Sequence, residues 1–333
     1  MRDVNGDRPT SSGRRSSQWL SIHLSVGAPV SSPACDEFLA NVVGQSVAGP
    51  TAIQGFDAFF FVRYVDRDHH IRLRLRLDGS ATSTDISEAF RMRMHQLVGS
   101  LERAANIDAV LEDNPPRCEL VPYVPELQRY GGEHGVAIAE DLFIASSRFA
   151  LEAIRTSRAN FDRRRIGTAV IATVTAAMAL LDSPHLVSEF LDAYWRGYVK
   201  YAGRRDGATM ASLTNAFHAA YDSEHVRWSD LVANLFSSDL DLGDWPALSK
   251  YRSAVTACRV ALDEAFERGL IELNRSHDNT APLCRATLLN SYVHMTNNRL
   301  GVAGLQEAYA GFAAHRATNN YVEATFGDAG VQR

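Results

Sequence analysis

The stretch His69–Leu77, HHIRLRLRL, constrains the fold most strongly, because one local conformation separates its two kinds of side chain. Ile71, Leu73, Leu75 and Leu77 alternate with His70, Arg72, Arg74 and Arg76. A period of two puts the aliphatic residues on one face of a strand and the cations on the other. Alternate side chains on one face stand about 6.5 Å apart, so the basic row is dense. Like charges at that spacing repel unless water, carboxylates or an anionic ligand surround them. The cationic face is therefore either solvated or the wall of a pocket for anionic groups.

The neighbouring sequence supplies partners for this strand. Phe56–Val65 (FDAFFFVRYV) is aromatic and apolar, and Asp66-Arg67-Asp68 makes the polar tip of a hairpin. Trp19–Val26 and Arg117–Val124 read as further strands, and Asp36–Val43 and Thr84–Ala105 as helices. After Gly131-Gly132 the period changes. Helices are predicted over Val136–Ser157, Arg163–Leu181, Leu186–Tyr201, Ala208–Tyr221, Glu224–Leu235, Pro246–Glu272 and Pro282–Arg299. Strands first and helices afterwards is the α+β layout: an antiparallel sheet with a hairpin in the N-terminal third, packed on a mainly helical remainder. The expected organisation is a disordered polar tail over 1–17, one catalytic domain over 18–315, and a C-terminal tail over 316–333.

Composition removes several function classes. The formal charge of -5 gives no global basic field for nucleic acid. Lysine occurs only at Lys200 and Lys250, so positive charge is nearly all arginine, which suits planar recognition of carboxylates. Cys35, Cys118, Cys258 and Cys284 lack CxxC spacing, which argues against a disulfide framework or structural zinc and for a reducing cytoplasm. Arg14-Arg15 ahead of WLSIHLSV superficially suggests an export signal. Leu20, Ile22, Leu24 and Val26 alternate with polar residues there, as in a strand, so export is not expected. Ile166–Leu181 is too short and too rich in threonine to span a bilayer.

No HExxH, GxGxxG after a strand, Walker A loop or GxSxG elbow is present. A constellation of three segments remains: Arg63-Tyr64 with the arginine strand, YVPELQRYGG with Glu126, Arg129 and Tyr130, and NSYVHMTNNRLG near the end. On a helix Ser291, His294 and Asn298 form one polar stripe, with Tyr292, Met295 and Arg299 on the next. His294 is either a satisfied, partly buried histidine or an acid–base group.

These segments, written FxxRYxDxxxHIRxRxR, YxPExxRYGG and SYxHMxxNRLG, occur in order and resemble the elimination domain of lantibiotic dehydratases. That family includes stand-alone members in thiopeptide biosynthesis, and the resemblance spans about Trp19–Ala314. It implies a ribosomally made precursor peptide, with leader and dehydrated, azole-containing core, as substrate. It implies neither cofactor nor metal, no nucleic acid, no membrane, and a possible homodimer or partner maturation enzymes. Two chemistries fit. A pyridine synthase joins two dehydroalanines by a formal aza-[4+2] cycloaddition, with loss of water and leader, and the resemblance then puts Tyr292 and Ser291 at the centre with His294 beside them. An eliminase removes glutamate from glutamylated serine or threonine, with Arg72, Arg74, Arg129 and His294 as the catalytic set. Arg63, Tyr64, His70, Arg76, Tyr130, Asn298 and Arg299 would line the substrate site. The cycloaddition is the leading expectation, and the leader is expected to bind by strand addition to the sheet.

Overall fold

A computed structural model describes residues 18–25, 27–50, 52–105, 117–157, 160–206, 209–237, 245–273 and 280–327. The expected tail over 1–17 lies outside the described residues. The strands β1 (Trp19–Ser25), β2 (Phe56–Val65), β3 (His69–Leu77) and β4 (Arg117–Leu120) form one antiparallel sheet in the order β2-β3-β1-β4. β4 is shorter than expected, because Pro122 and Pro125 cannot donate to a ladder and interrupt the edge. Ile71, Leu73 and Leu75 are fully buried with Ile22, Leu24 and Phe61, so the alternation in β3 has one dry face. On the other face Arg72 lies opposite His23 and Val62, and Arg74 opposite Ser21 and Phe60.

Ser32 caps α1 (Pro33–Phe38) by accepting from the Cys35 N–H, and proline begins the helix where its missing donor costs nothing. A π-turn (Leu39–Val43) carries the chain on into α2 (Gly44–Ala48). The helix α3 (Ser83–Ala105) follows the hairpin, and α4 (Leu127–Tyr130) is a single turn. The helical part comprises α5 (Glu133–Ser157), α6 (Phe161–Leu180), α7 (Pro184–Asp206), α8 (Met210–Asp222), α9 (His225–Phe236), α10 (Pro246–Glu267), α11 (Ala281–Arg299) and α12 (Leu305–Phe326). The ends of α5, α6, α8, α9 and α11 fall within three residues of expectation, whereas α7 runs to Asp206 rather than Tyr201 and α10 stops at Glu267 rather than Glu272. The apolar stretch around Thr168–Ala177 is the buried middle of α6, which packs on α10, α11 and α12.

The C-terminal boundary needs correction. Residues 316–326 belong to α12, where Ala317, Thr318 and Val322 are buried, and the rest of the expected tail past 327 lies outside the described residues. This helix packs against α6, α7 and α9, and is alanine-rich and apolar on more than one side, so it offers no stripe for a periodicity argument. No helix among the described residues is long and apolar enough to cross a membrane.

Side-chain hydrogen bonds join the sheet to the helices. The outer edge of β2 is closed by side chains: the Phe61 N–H donates to Ser147 Oγ (3.1 Å), and Arg63 N–H donates to Asn298 Oδ1 (2.9 Å). Beneath that edge, Asp36 receives Arg63 on one carboxylate oxygen (2.7 Å) and Arg165 on the other (2.5 Å). The chain turns past these guanidiniums at Gly301, whose φ of +77° and lack of a Cβ both matter, since a Cβ would collide with Arg165.

Candidate active site

The helix α11 presents Ser291, His294 and Asn298 along one half-buried stripe, as the spacing predicts. His294 Nδ1 lies 3.0 Å and 3.1 Å from the two carboxylate oxygens of Glu307, a residue of α12 with no exposed surface. A carboxylate only accepts, so Nδ1 carries the hydrogen of this pair, and a neutral imidazole in that tautomer has its lone pair on Nε2. The Tyr194 hydroxyl donates to the same Glu307 oxygen at 2.5 Å, and Asn297 Nδ2 reaches that hydroxyl at 3.4 Å. Burial and the Glu307 charge push the Tyr194 phenol well above its ordinary range, so it remains a donor. The Tyr198 ring lies 5.7 Å from the imidazole, and its phenol is likewise pushed up by burial and by Glu307.

One turn back, Arg129 Nε donates to Ser291 Oγ at 3.1 Å, and Arg129 Nη1 pairs with Glu126 at 2.9 Å. The turn that delivers Arg129 ends at Gly131, in the left-handed region at φ +79°, where a Cβ would strike Ile271. Glu126 is within electrostatic reach of both Arg129 and Arg74, which links this turn to the arginine strand.

That strand is neither fully solvated nor wholly given to a ligand. Arg76 forks onto Asp57 through Nε (2.7 Å) and Nη2 (3.2 Å). Arg72 lies over the Tyr64 ring at 3.1 Å from its centroid, donates from Nε to His70 Nε2 and pairs with Asp66. Arg74 differs: its Nε and Nη1 are buried beneath the Tyr123 ring and have no hydrogen-bond partner among the described residues. Burial, with Arg72 beside it, lowers Arg74 to about 10. A guanidinium left with free donors in a low-dielectric site is a receptor for an anion or a developing negative oxygen.

Other expected site residues lie elsewhere. Tyr292 is 1 % exposed, stacked on the buried Tyr130 ring at 6.0 Å, with its hydroxyl turned to the Cys258 thiol outside hydrogen-bonding geometry. The helical period turns it away from the Ser291–His294 stripe and into the core. Arg63 and Arg299 are buried structural clamps: Arg63 binds Asp36, Val30 O and Arg299 O, and Arg299 binds Ser147 Oγ and Met295 O over the Phe143 ring. Asn298 is spent on the β2 edge. His70 is buried among His23, Asp68 and Arg72, and Tyr64 is the partly exposed platform for Arg72. Asp66, Asp68 and His70 place ligand atoms within 4.8 Å of one another, but Arg72 and Arg117 already occupy the two carboxylates. Glu307, Tyr194 and Tyr198 escaped the sequence reading, because each sits in a helix whose pattern reads as packing, and only the fold brings them to His294.

Residues 19–318 match the family model for the lantibiotic biosynthesis dehydratase C-terminal region. Among solved structures, the chain is similar to TsrL, with a TM-score of 0.66 and 18% identity over 92% of this chain and 96% of that one. It is similar to the pyridine synthase TbtD from thiomuracin biosynthesis (TM-score 0.64, 14% identity, 93% and 99% covered). It is also similar to the tRNA-dependent lantibiotic dehydratase MibB from Microbispora sp. 107891 (TM-score 0.60, 21% identity), covering 96% of this chain but 29% of MibB. No curated protein sequence matches the chain.

Proposed function

Because this chain belongs to the lantibiotic biosynthesis dehydratase C-terminal family, we propose that it matures a ribosomal peptide by a formal aza-[4+2] cycloaddition of two dehydroalanines. One dehydroalanine and the preceding amide, as its iminol, form the azadiene; the other alkene adds across it with two new carbon–carbon bonds. Loss of water from the former carbonyl carbon, then of the leader as its carboxamide, gives the pyridine.

The observation that carries this reading is His294 held by Glu307 one turn from the Arg129–Ser291 pair. Tautomerisation needs a base at the amide nitrogen and a donor at its oxygen. His294 Nε2 supplies the first, and Arg129 with Ser291 the second. Binding both alkenes against this wall converts the ring closure to an effectively unimolecular step. Tyr292 has no part in the relay, since its hydroxyl is enclosed in the core. The arginine strand also fits poorly with capturing the two carboxylates of a glutamate, because Arg72 and Arg76 already carry the protein's own acids.

One observation favours glutamate elimination instead: the free buried donors of Arg74. There Arg74 would hold a carboxylate or enolate while His294 removes the alpha proton. Incubation with dehydrated and with glutamylated precursor peptides, followed by mass, separates the two. Loss of water and leader is the expected result. Loss of glutamate alone would replace cycloaddition by elimination.

A further inference from the structure

The fold answers most of its buried guanidiniums with acid. Arg63 and Arg165 share Asp36, and Arg285 pairs with Asp182 and Asp263. Arg299, which has no exposed surface, is the exception among the described residues. Its Nε and Nη1 take neutral acceptors, Ser147 Oγ and Met295 O, and its Nη2 has no partner. A second guanidinium in the same state lies close by. Arg74 stands between Ser21 of β1 and Phe60 of β2 on one face of the sheet. The Ser21 hydroxyl is also buried and has no partner among the described residues. The Phe60 ring meets Phe143 at 5.5 Å, and the Arg299 guanidinium covers that same Phe143 ring at 4.6 Å. Burial, with Arg74 close enough to repel, lowers Arg299 to about 9. The one acid felt at Arg74 is Glu126, which is exposed and bound to Arg129. Two buried cations therefore adjoin one another with no carboxylate of their own among the described residues.

We propose that Arg74 and Arg299 share a resident inorganic anion, a halide, as their counter-ion. Water can accept from free donors but brings no charge, and unpaired cations in an apolar surrounding cost far more than unpaired donors alone. The surroundings also favour a halide over an oxyanion. Phe60 and Phe143 offer no donors, and the Tyr123 hydroxyl is committed to Glu140 at 2.7 Å. The surplus oxygens of a sulfate or phosphate would go unanswered there, whereas a halide has none to satisfy. The assignment does not depend on which reaction His294 performs. It does bear on Arg74: with the anion seated, its buried donors are no longer open to the carboxylate of a glutamate.

The test is thermal melting of the full chain at constant ionic strength, as gluconate is replaced by chloride, bromide or acetate. The halides should raise the melting temperature by about 3–5 °C and the response should saturate, as binding to the native state requires. General screening neither saturates nor tells one monovalent anion from another. Arg74→Met should raise the half-saturating halide concentration about tenfold or more. It should melt no lower than the parent in gluconate, because one unpaired charge has gone. Arg76→Gln, on the same strand but with its fork filled by Asp57, should keep the full response. In crystals soaked in bromide, anomalous scattering should fall between Arg74 and Arg299. Equal melting in halide and gluconate overturns the proposal, as does an undiminished response in Arg74→Met or bromide at exposed arginines alone, an adventitious ion only. Acetate acting as strongly as bromide overturns it too, by making the site a receptor for carboxylates. If Arg74→Met does not fold, the anion series on the parent and the bromide positions decide.

Discussion

Asn298 clasps the backbone of Arg63 from both sides, accepting from its N–H at 2.9 Å and donating to its carbonyl at 2.8 Å. One amide thus supplies the pairing that a further strand would otherwise give, and it fixes α11, with His294 on it, to β2. Asn298→Ala should lower stability by about 2–3 kcal/mol, since two backbone groups lose their partner. Asn298→Asp should rescue little, because a carboxylate cannot donate to the Arg63 carbonyl. Denaturant titration of both variants checks this.

Glu307→Gln keeps the shape of the side chain but removes the charge that fixes the imidazole. Turnover should fall by about 10²–10⁴-fold, close to the effect of His294→Ala, with peptide affinity little changed. A double variant no slower than either single one would show that the two residues act as a unit.

Tyr292→Phe should be nearly silent in turnover, because the hydroxyl it removes is enclosed and has no well-formed bond. Its stability should shift by less than about 1 kcal/mol. A severe loss of ring formation in this variant would return Tyr292 to the reaction.

The arginines of β3 should separate by their occupancy. Under glutamate elimination, Arg74→Lys, which keeps charge but loses the planar fork, should cut turnover strongly, whereas under cycloaddition it should be mild; Arg76→Gln should be mild in either reaction because Asp57 already fills its fork. Steady-state kinetics on one precursor peptide ranks them.

His23 sets an acid limit on stability. Burial, with His70, Arg72 and Arg74 around it, lowers its pKa from 6.5 to about 4. The unfolded chain therefore binds a proton there before the native one does. Stability is complete above pH 6.5 and declines as pH falls towards about 4. His23→Gln should flatten that part of the curve of melting temperature against pH.

Much of this molecule is legible in one dimension. The strict alternation of β3 and the helical periods of α5–α11 announce themselves. The helix α12 does not, because Ala308, Ala313 and Ala317 are buried on different sides and leave no stripe. The Ser291–His294 stripe and Arg129 were likewise readable, whereas the placement of Arg63, Asn298 and Arg299 was not. Guanidinium and amide groups serve ligands and internal carbonyls equally well, and which they serve depends on neighbours more than two hundred positions away, as with Arg63 and Asn298. Glu307 shows the reverse case: an acid in an apolar helix acquires meaning only when α12 lies against α11.

The Arg63–Asp36–Arg165 keystone restricts how such a chain can drift. Replacing Asp36 alone strands two buried guanidiniums, and replacing either arginine alone leaves the carboxylate half answered. Each single step is costly even where a neutral trio of similar volume would fold well. The three positions must therefore change together or stay as they are, while the exposed positions around them remain free to wander.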